Sequence, residues 1–162
     1  MCRLKRALYG LKQAPRAWYT WIDSYFTGLG FSKSEADPNL YQIVVECKLL
    51  IIVLYVDDLI LTGDEQLILS CKVDLAKEFE MKDLGLLNYF LGLEIWQHSD
   101  GLFISQGKYA REILEKFNMH GCKPVGTPLP GGWRKEDDTS AKVVDATVYR
   151  QLVGSLMYLV NT

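Results

Sequence analysis

Apolar residues recur along this chain at two different periods, and the switches between them mark out its elements. Trp18, Ile22, Tyr25 and Leu29 repeat at helical spacing behind Pro15, which suits a first helical turn, while Gly28 and Gly30 supply a stop. After Asp37-Pro38 the pattern changes to β-prone runs, NLYQIVVE (39–46) and KLLIIVLY (48–55), separated by a short polar break over 46–48. A third run, LILT (59–62), follows two aspartates and predicts a β-hairpin whose turn is Val56, Asp57 and Asp58. Both of its strands are apolar enough to lie centrally in a sheet. Asp64 then reads as the N-cap of a helix through Phe79, with Leu67, Cys71, Leu75 and Phe79 on one stripe. LLNYFLGLEIWQ and LFISQ, split by HSDG, predict a second hairpin with Ser99-Asp100-Gly101 as its turn. Lys108–Asn118 and Val148–Val160 close the pattern as amphipathic helices, and the Pro-, Gly- and charge-rich 121–140 reads as a linker. The class is α+β, built on an antiparallel sheet.

The 162 residues are 49% hydrophobic, enough for one domain with a real core. Eighteen Lys and Arg against twenty Asp and Glu leave a net charge of -2, so any attraction for phosphate must be local. One local patch exists: MCRLKRALYGLKQAPR (1–16) carries Arg3, Lys5, Arg6, Lys12 and Arg16 and no acid. A solvated basic face is its bland alternative. Cys2, Cys47, Cys71 and Cys122 lack C-x-x-C spacing and neither His98 nor His120 lies beside one, which argues against structural zinc and for reduced, mostly core thiols. The apolar runs are too short for a membrane span, and residues 1–30 hold no signal-peptide core, so the sequence reads as an intracellular protein, cytoplasmic or nuclear, with an organelle left open.

Asp57 and Asp58 carry the candidate chemistry. An idle, solvated turn is the simplest account of an Asp-Asp pair, since turns favour Asp. The apolar setting weighs against it, because adjacent carboxylates repel and stay ionised together best beside a cation. Hard divalent cations take such oxygens, usually one or two carboxylates completed by substrate phosphates.

Tyr55-Val56-Asp57-Asp58 resembles the Y-x-D-D box of reverse transcriptases. LKRALYGLKQAPRAWY (4–19) resembles the segment that lies under the templating base and incoming nucleotide in copia-type (Pseudoviridae) retrotransposon enzymes. MKDLGLLNYFLGLEI and GLFISQGKYAREILEKFNM resemble that family's primer-gripping hairpin and thumb start, and CKPVGTPL with YRQLVGSLMYL its downstream connection. The resemblance implies a palm/thumb piece of the Pol polyprotein: a partial palm over 1–106 with helices on one face of an antiparallel sheet, the thumb start over 107–120, the linker 121–140, and a connection helix over 141–162. It implies an RNA-directed DNA polymerase acting on an RNA or DNA template-primer and dNTPs with two Mg²⁺ (or Mn²⁺) ions.

By that resemblance Asp57 is the principal metal ligand, Asp58 its neighbour, and Tyr55 a contact to the primer end. Tyr9, Gly10, Lys12, Gln13 and Pro15 fall in the nucleotide segment, and Arg3, Lys5, Arg6 and Arg16 are placed to meet nucleic-acid backbone. Tyr89, Leu91 and Trp96 are candidates to pack under the primer, although aromatics on strands are more often core. The family's other essential aspartate lies upstream of its ALYGLKQAP segment, and this chain starts just before that segment. Asp23, Glu35 and Asp37 offer no obvious replacement. The expectation is therefore a chain inactive by itself, with an open sheet edge that invites a dimer or partner chain. A non-catalytic retroelement remnant, binding nucleic acid or protein through the basic stretch and the helix around Lys108 and Lys116, is the alternative.

Overall fold

The computed structural model describes Leu8, residues 10–127, 131–132 and 144–162. They form an α+β structure with two antiparallel sheets and, among the described residues, four helices, divided into compact units Met1–Asp83 and Leu84–Thr162.

In the first unit, α1 (Ala14–Gly28) opens with Pro15 near its N-terminus. The strands β1 (Ser32–Lys33), β2 (Leu40–Val45), β3 (Lys48–Tyr55) and β4 (Asp58–Gly63) form one sheet in the order β1-β2-β3-β4, followed by α2 (Glu65–Glu78). Among the described residues β3 is thus interior, while β4 is an edge strand rather than the central one its apolar sequence suggested. Its Leu59, Ile60 and Leu61 are only half-buried. The polar break resolves into a two-residue turn, Glu46-Cys47, with φ of 50° and 64°, as tight hairpins require.

Strand alternation sends Tyr41, Leu50, Ile52 and Leu54 to one face, where they meet Ile22 and Phe26 of α1 and Cys71 and Leu75 of α2 in one core cluster. The α2 stripe is as expected, with Asp64 capping Gln66 N–H at 3.1 Å and Leu67 N–H at 3.2 Å. The α1 stripe is rotated from expectation: Leu29, just past the helix end, is exposed, and Phe26 is fully buried against Phe31 and Tyr41 with ring centroids 5.6 and 5.0 Å away. The buried Tyr41 hydroxyl donates to Asp23 Oδ1 at 2.7 Å, and Asp23 is also paired with Lys33. The Lys33 ammonium, helped by the Tyr41 hydroxyl, holds the Asp23 carboxyl below its ordinary range against a smaller opposing effect of burial.

In the second unit, β5 (Tyr89–Phe90), β6 (Leu93–His98) and β7 (Gly101–Ser105) form a three-stranded sheet, followed by α3 (Gly107–Lys116) and α4 (Ala146–Asn161). The turn residues are Ser99 and Asp100, with Gly101 paired to His98 as the first residue of β7. The Glu94 carboxylate accepts the Lys108 N–H at 2.8 Å and so caps α3. Tyr109 packs edge-on against Tyr158 at 4.7 Å, and the Tyr158 hydroxyl donates to the Leu91 carbonyl. Tyr89, Leu91 and Trp96 are not core: they are 45%, 46% and 41% exposed, and among the described residues of this unit only Ile95 and Ile113 are buried hydrophobics.

The thiols also depart from expectation. Cys71 is buried, but Cys47 occupies the exposed β2–β3 turn and Cys122 an exposed loop, so most of the described cysteines are surface residues. Cys2 lies outside the described residues. Of the linker, residues 121–127 and 131–132 are described and carry neither helix nor strand. No described helix is long and apolar enough to cross a membrane.

Candidate functional site

The Asp-Asp pair stands at the β3–β4 turn. Pairing of Leu54 with Leu59 and of Tyr55 with Asp58 leaves Val56 and Asp57 as a two-residue turn, so Asp58 is the first residue of β4 and not part of the turn. Leu54 is in the core, and alternation puts Tyr55 and Asp58 together on the opposite face. All four residues from Tyr55 to Asp58 are exposed. Val56 has φ of 55°, a conformation that a β-branched residue enters only when something holds it there.

Asp57 borders a groove of about 1200 Å³ formed by the chain before α1, the first turns of α1, and the end of β3. Gly10 and Pro15, both singled out from sequence, line it with Asp57. Gly10 has φ of +86° and no heavy atom within 4 Å of where a Cβ would stand, so glycine is demanded there by backbone conformation and leaves the space open. Lys12, Gln13 and Arg16 are exposed around the start of α1 but do not line the groove, and neither do Tyr55 and Asp58. Tyr9, Arg3, Lys5 and Arg6 lie outside the described residues.

Among the lining residues that sequence reasoning does not single out as site residues are Trp18, Trp21, Asn39 and Glu78. Trp18 falls in the helical stripe and in the 4–19 segment without being a candidate site residue, yet its indole Nε1–H donates to the Val56 carbonyl at 2.9 Å, directly beside Asp57. Asn39 accepts the Leu54 N–H through its carbonyl at 2.9 Å, and its own N–H is held by Asp37 Oδ1 at 2.9 Å. A Trp pair three apart in α1 and an acid closing α2 were the available signals, and both also fit an ordinary amphipathic helix.

Among the described residues no group of three or more His, Cys, Asp or Glu converges on one point. Asp23 is engaged by Lys33 and Tyr41, Asp37 caps Asn39, and Glu35 is exposed, so none of the three joins the turn as a ligand. Asp57 and Asp58 fit a divalent cation of the Mg²⁺ kind in one sense: they are hard, solvent-facing oxygens, and such an ion is ordinarily held by one or two carboxylates with water and phosphate filling its other positions.

Residues 1–130 match the reverse transcriptase (RNA-dependent DNA polymerase) family, and the chain belongs to that family. Within it, the chain is of the copia/Ty1 retrotransposon type. It is 39% identical over 163 residues to the Retrovirus-related Pol polyprotein from transposon RE2 of Arabidopsis thaliana, an alignment covering 100% of this chain and 11% of that protein. It is 42% identical over 172 residues to the Retrovirus-related Pol polyprotein from transposon TNT 1-94 of Nicotiana tabacum, covering 98% of this chain and 13% of the polyprotein. An uncharacterized mitochondrial protein of Arabidopsis thaliana is 46% identical over 112 residues, covering 68% of this chain and 46% of its own length. The chain therefore spans a small share of the two polyproteins and less than half of the third relative. No solved structure matches it.

Proposed function

We propose that this chain contributes the Y-x-D-D part of a reverse transcriptase site, adding nucleotides to a primer 3′-hydroxyl on an RNA or DNA template. The observation that carries the reading is Asp57 on the exposed turn of an antiparallel hairpin, at the mouth of an open groove, in a chain of this family. Divalent ions of the Mg²⁺ or Mn²⁺ class, two in the family site, supply Lewis acidity toward the attacking hydroxyl and the phosphate oxygens when bound. Asp57 is the principal ligand and Asp58 its neighbour on β4. Tyr55 shares the face of Asp58 and meets the primer end. Gly10 and Pro15 shape the groove wall on which the template–nucleotide pair rests, with Tyr9, Lys12 and Gln13 in the same segment. Arg3, Lys5, Arg6 and Arg16 meet backbone phosphates, so their contribution falls with added salt.

Two carboxylates make an incomplete cage for two ions, and no third protein ligand joins them among the described residues. The reading therefore includes a further carboxylate from outside these described residues, without which transition-state charge is poorly stabilised and primer extension fails.

Two measurements test it. In a Mn²⁺ titration followed by electron spin resonance, Asp57→Asn is expected to weaken binding by about tenfold or more, the least that loss of a direct carboxylate ligand should produce. Equal affinity in wild type and Asp57→Asn overturns the ligand assignment. Primer extension on poly(rA)/oligo(dT) with Mg²⁺ and then Mn²⁺ is expected to yield no product from the chain alone. Extension that Asp57→Asn abolishes would overturn the requirement for an outside carboxylate.

A further inference from the structure

The turn that carries Asp57 is not held by its own sequence. Val56, the first of its two residues, is β-branched at φ 55° and 67% exposed, so its side chain has little packing to hold the backbone there. Left to itself such a turn relaxes, and the direction of the next side chain relaxes with it.

The tie comes from α1. The Trp18 indole is a donor only, and its Nε1–H reaches the Val56 carbonyl at 2.9 Å across 38 residues of sequence. That carbonyl belongs to the peptide joining Val56 to Asp57, so fixing it fixes the plane from which Asp57 departs. The indole is itself immobilised. Its ring stands edge-on to Phe79 at 5.4 Å and 80°, and edge-on to Trp21 at 6.2 Å and 90°. Phe79 is buried, and its N–H closes α2 on the Leu75 carbonyl at 2.8 Å. The donor thus rests on two helices that share the core with β3, whereas the acceptor sits on an exposed turn.

We propose that Trp18 is a positioning residue for Asp57: its indole N–H holds the Val56–Asp57 peptide in the left-handed turn and so sets how the Asp57 carboxylate faces the groove. The inference rests on the reading of Asp57 as a metal ligand given above. It assigns Trp18 no contact with nucleotide, primer or metal.

The test uses the full 162-residue chain with ¹⁵N-labelled tryptophan. The Trp18 indole signal is the one Trp18→Phe removes, and its solvent exchange is expected to be about tenfold or more slower than that of the exposed Trp96. Mn²⁺ is expected to broaden the Trp18 signal, and Asp57→Asn to abolish the broadening. Trp18→Phe keeps an aromatic ring but no donor, and is expected to weaken Mn²⁺ binding about fivefold, the worth of one hydrogen bond. Adding Val56→Gly is expected to restore affinity to within about twofold, since glycine takes a positive φ without strain. A residue that merely packs would not show the rescue. If Trp18→Phe lowers the urea midpoint, benzothienylalanine at position 18 replaces it, keeping the bicyclic shape with sulfur in place of N–H. Unchanged Mn²⁺ affinity in that donor-free protein, with fast indole exchange in wild type, overturns the proposal. If wild type shows no Asp57-dependent Mn²⁺ binding, the ligand reading falls, and the Asp57 and Asp58 amide shifts of uniformly ¹⁵N-labelled protein then decide the positioning claim: movement on loss of the donor upholds it, and none overturns it.

Discussion

Gly63→Ala is expected to destabilise the first unit by about 4 kcal/mol or more, at the exceptional end for a single substitution. Gly63 ends β4 and has φ of +137°, outside the range an L side chain adopts readily. A Cβ built there would lie 2.1 Å from the Leu49 carbonyl oxygen and 3.0 Å from Leu50 Cα. Both obstacles are backbone, so no rotamer change relieves them. The Leu49 carbonyl also accepts the Asp64 N–H at 2.9 Å, so moving it disturbs the junction from which α2 starts. A domain of this size has about 5–15 kcal/mol in total, and losing this much leaves a large unfolded fraction at 37 °C. Urea titration by circular dichroism measures it, with Gly28→Ala as the control. Gly28 closes α1 with nothing within 4 Å of an added Cβ, and its replacement is expected to be neutral or slightly stabilising. A Gly63→Ala midpoint equal to wild type would show that the β4–α2 junction yields at little expense.

The same junction shows what the sequence disclosed. Asp64 was legible as an N-cap and Leu67, Cys71, Leu75 and Phe79 as a buried stripe, because capping and helical spacing are local signals. The hairpin over 40–55 was legible for the same reason: two β-prone runs and a polar break admit few other arrangements. What escaped depends on partners distant in sequence. Leu29 belongs to the apolar stripe but is exposed, while Phe26 outside the stripe is fully buried, since helical spacing alone does not say where a helix meets its sheet. β1 and β5, two residues each, are set by their pairing strands and carry no pattern of their own. Trp96 and Phe103 pack at a 45° tilt with ring centroids 5.5 Å apart while remaining substantially exposed, an outcome that β-propensity cannot distinguish from burial.

At the candidate site the split is similar. Asp57 could be read from its dipeptide and apolar flanks, and Gly10 from its segment. The indole of Trp18 on the Val56 carbonyl joins residues 38 apart and left no trace in either neighbourhood. The basic residues Arg3, Lys5 and Arg6 fall outside the described part of the chain, and the role proposed for them rests on charge and resemblance.

Stability is also expected to fall steeply as pH rises from about 9 to 11, through three weak acids of the first unit. Burial, then the nearby Asp74 charge, pushes the Cys71 thiol from 9.0 up to about 11. Burial first, and then its hydrogen bond to Asp23, raises the Tyr41 phenol above its ordinary value. The Tyr25 phenol is raised by burial and by Asp74 and Glu78. In each case the folded chain holds the proton more tightly than the unfolded chain, so the unfolded state ionises first and gains from every added unit of pH. The contribution is complete below the unfolded values, about 9 for the thiol and about 10 for the phenols, and is lost as pH climbs through the folded values. For Cys71 alone, 8% exposed, a shift of roughly two units corresponds to about 2–3 kcal/mol. Asp23 gives the opposite limb: its depressed carboxyl stabilises above about pH 4, and that contribution disappears as acid protonates it. Urea midpoints at pH 8, 9.5 and 11 trace the alkaline limb. Cys71→Ala should flatten it between pH 9 and 11, while leaving a cavity-related loss that is constant across pH. Tyr41→Phe should flatten it further and, by removing a donor from Asp23, also move the acid limb to higher pH. A single substitution that shifts both ends of the profile separates the Asp23–Tyr41 hydrogen bond from a general loss of packing, which would lower the whole curve without changing its shape.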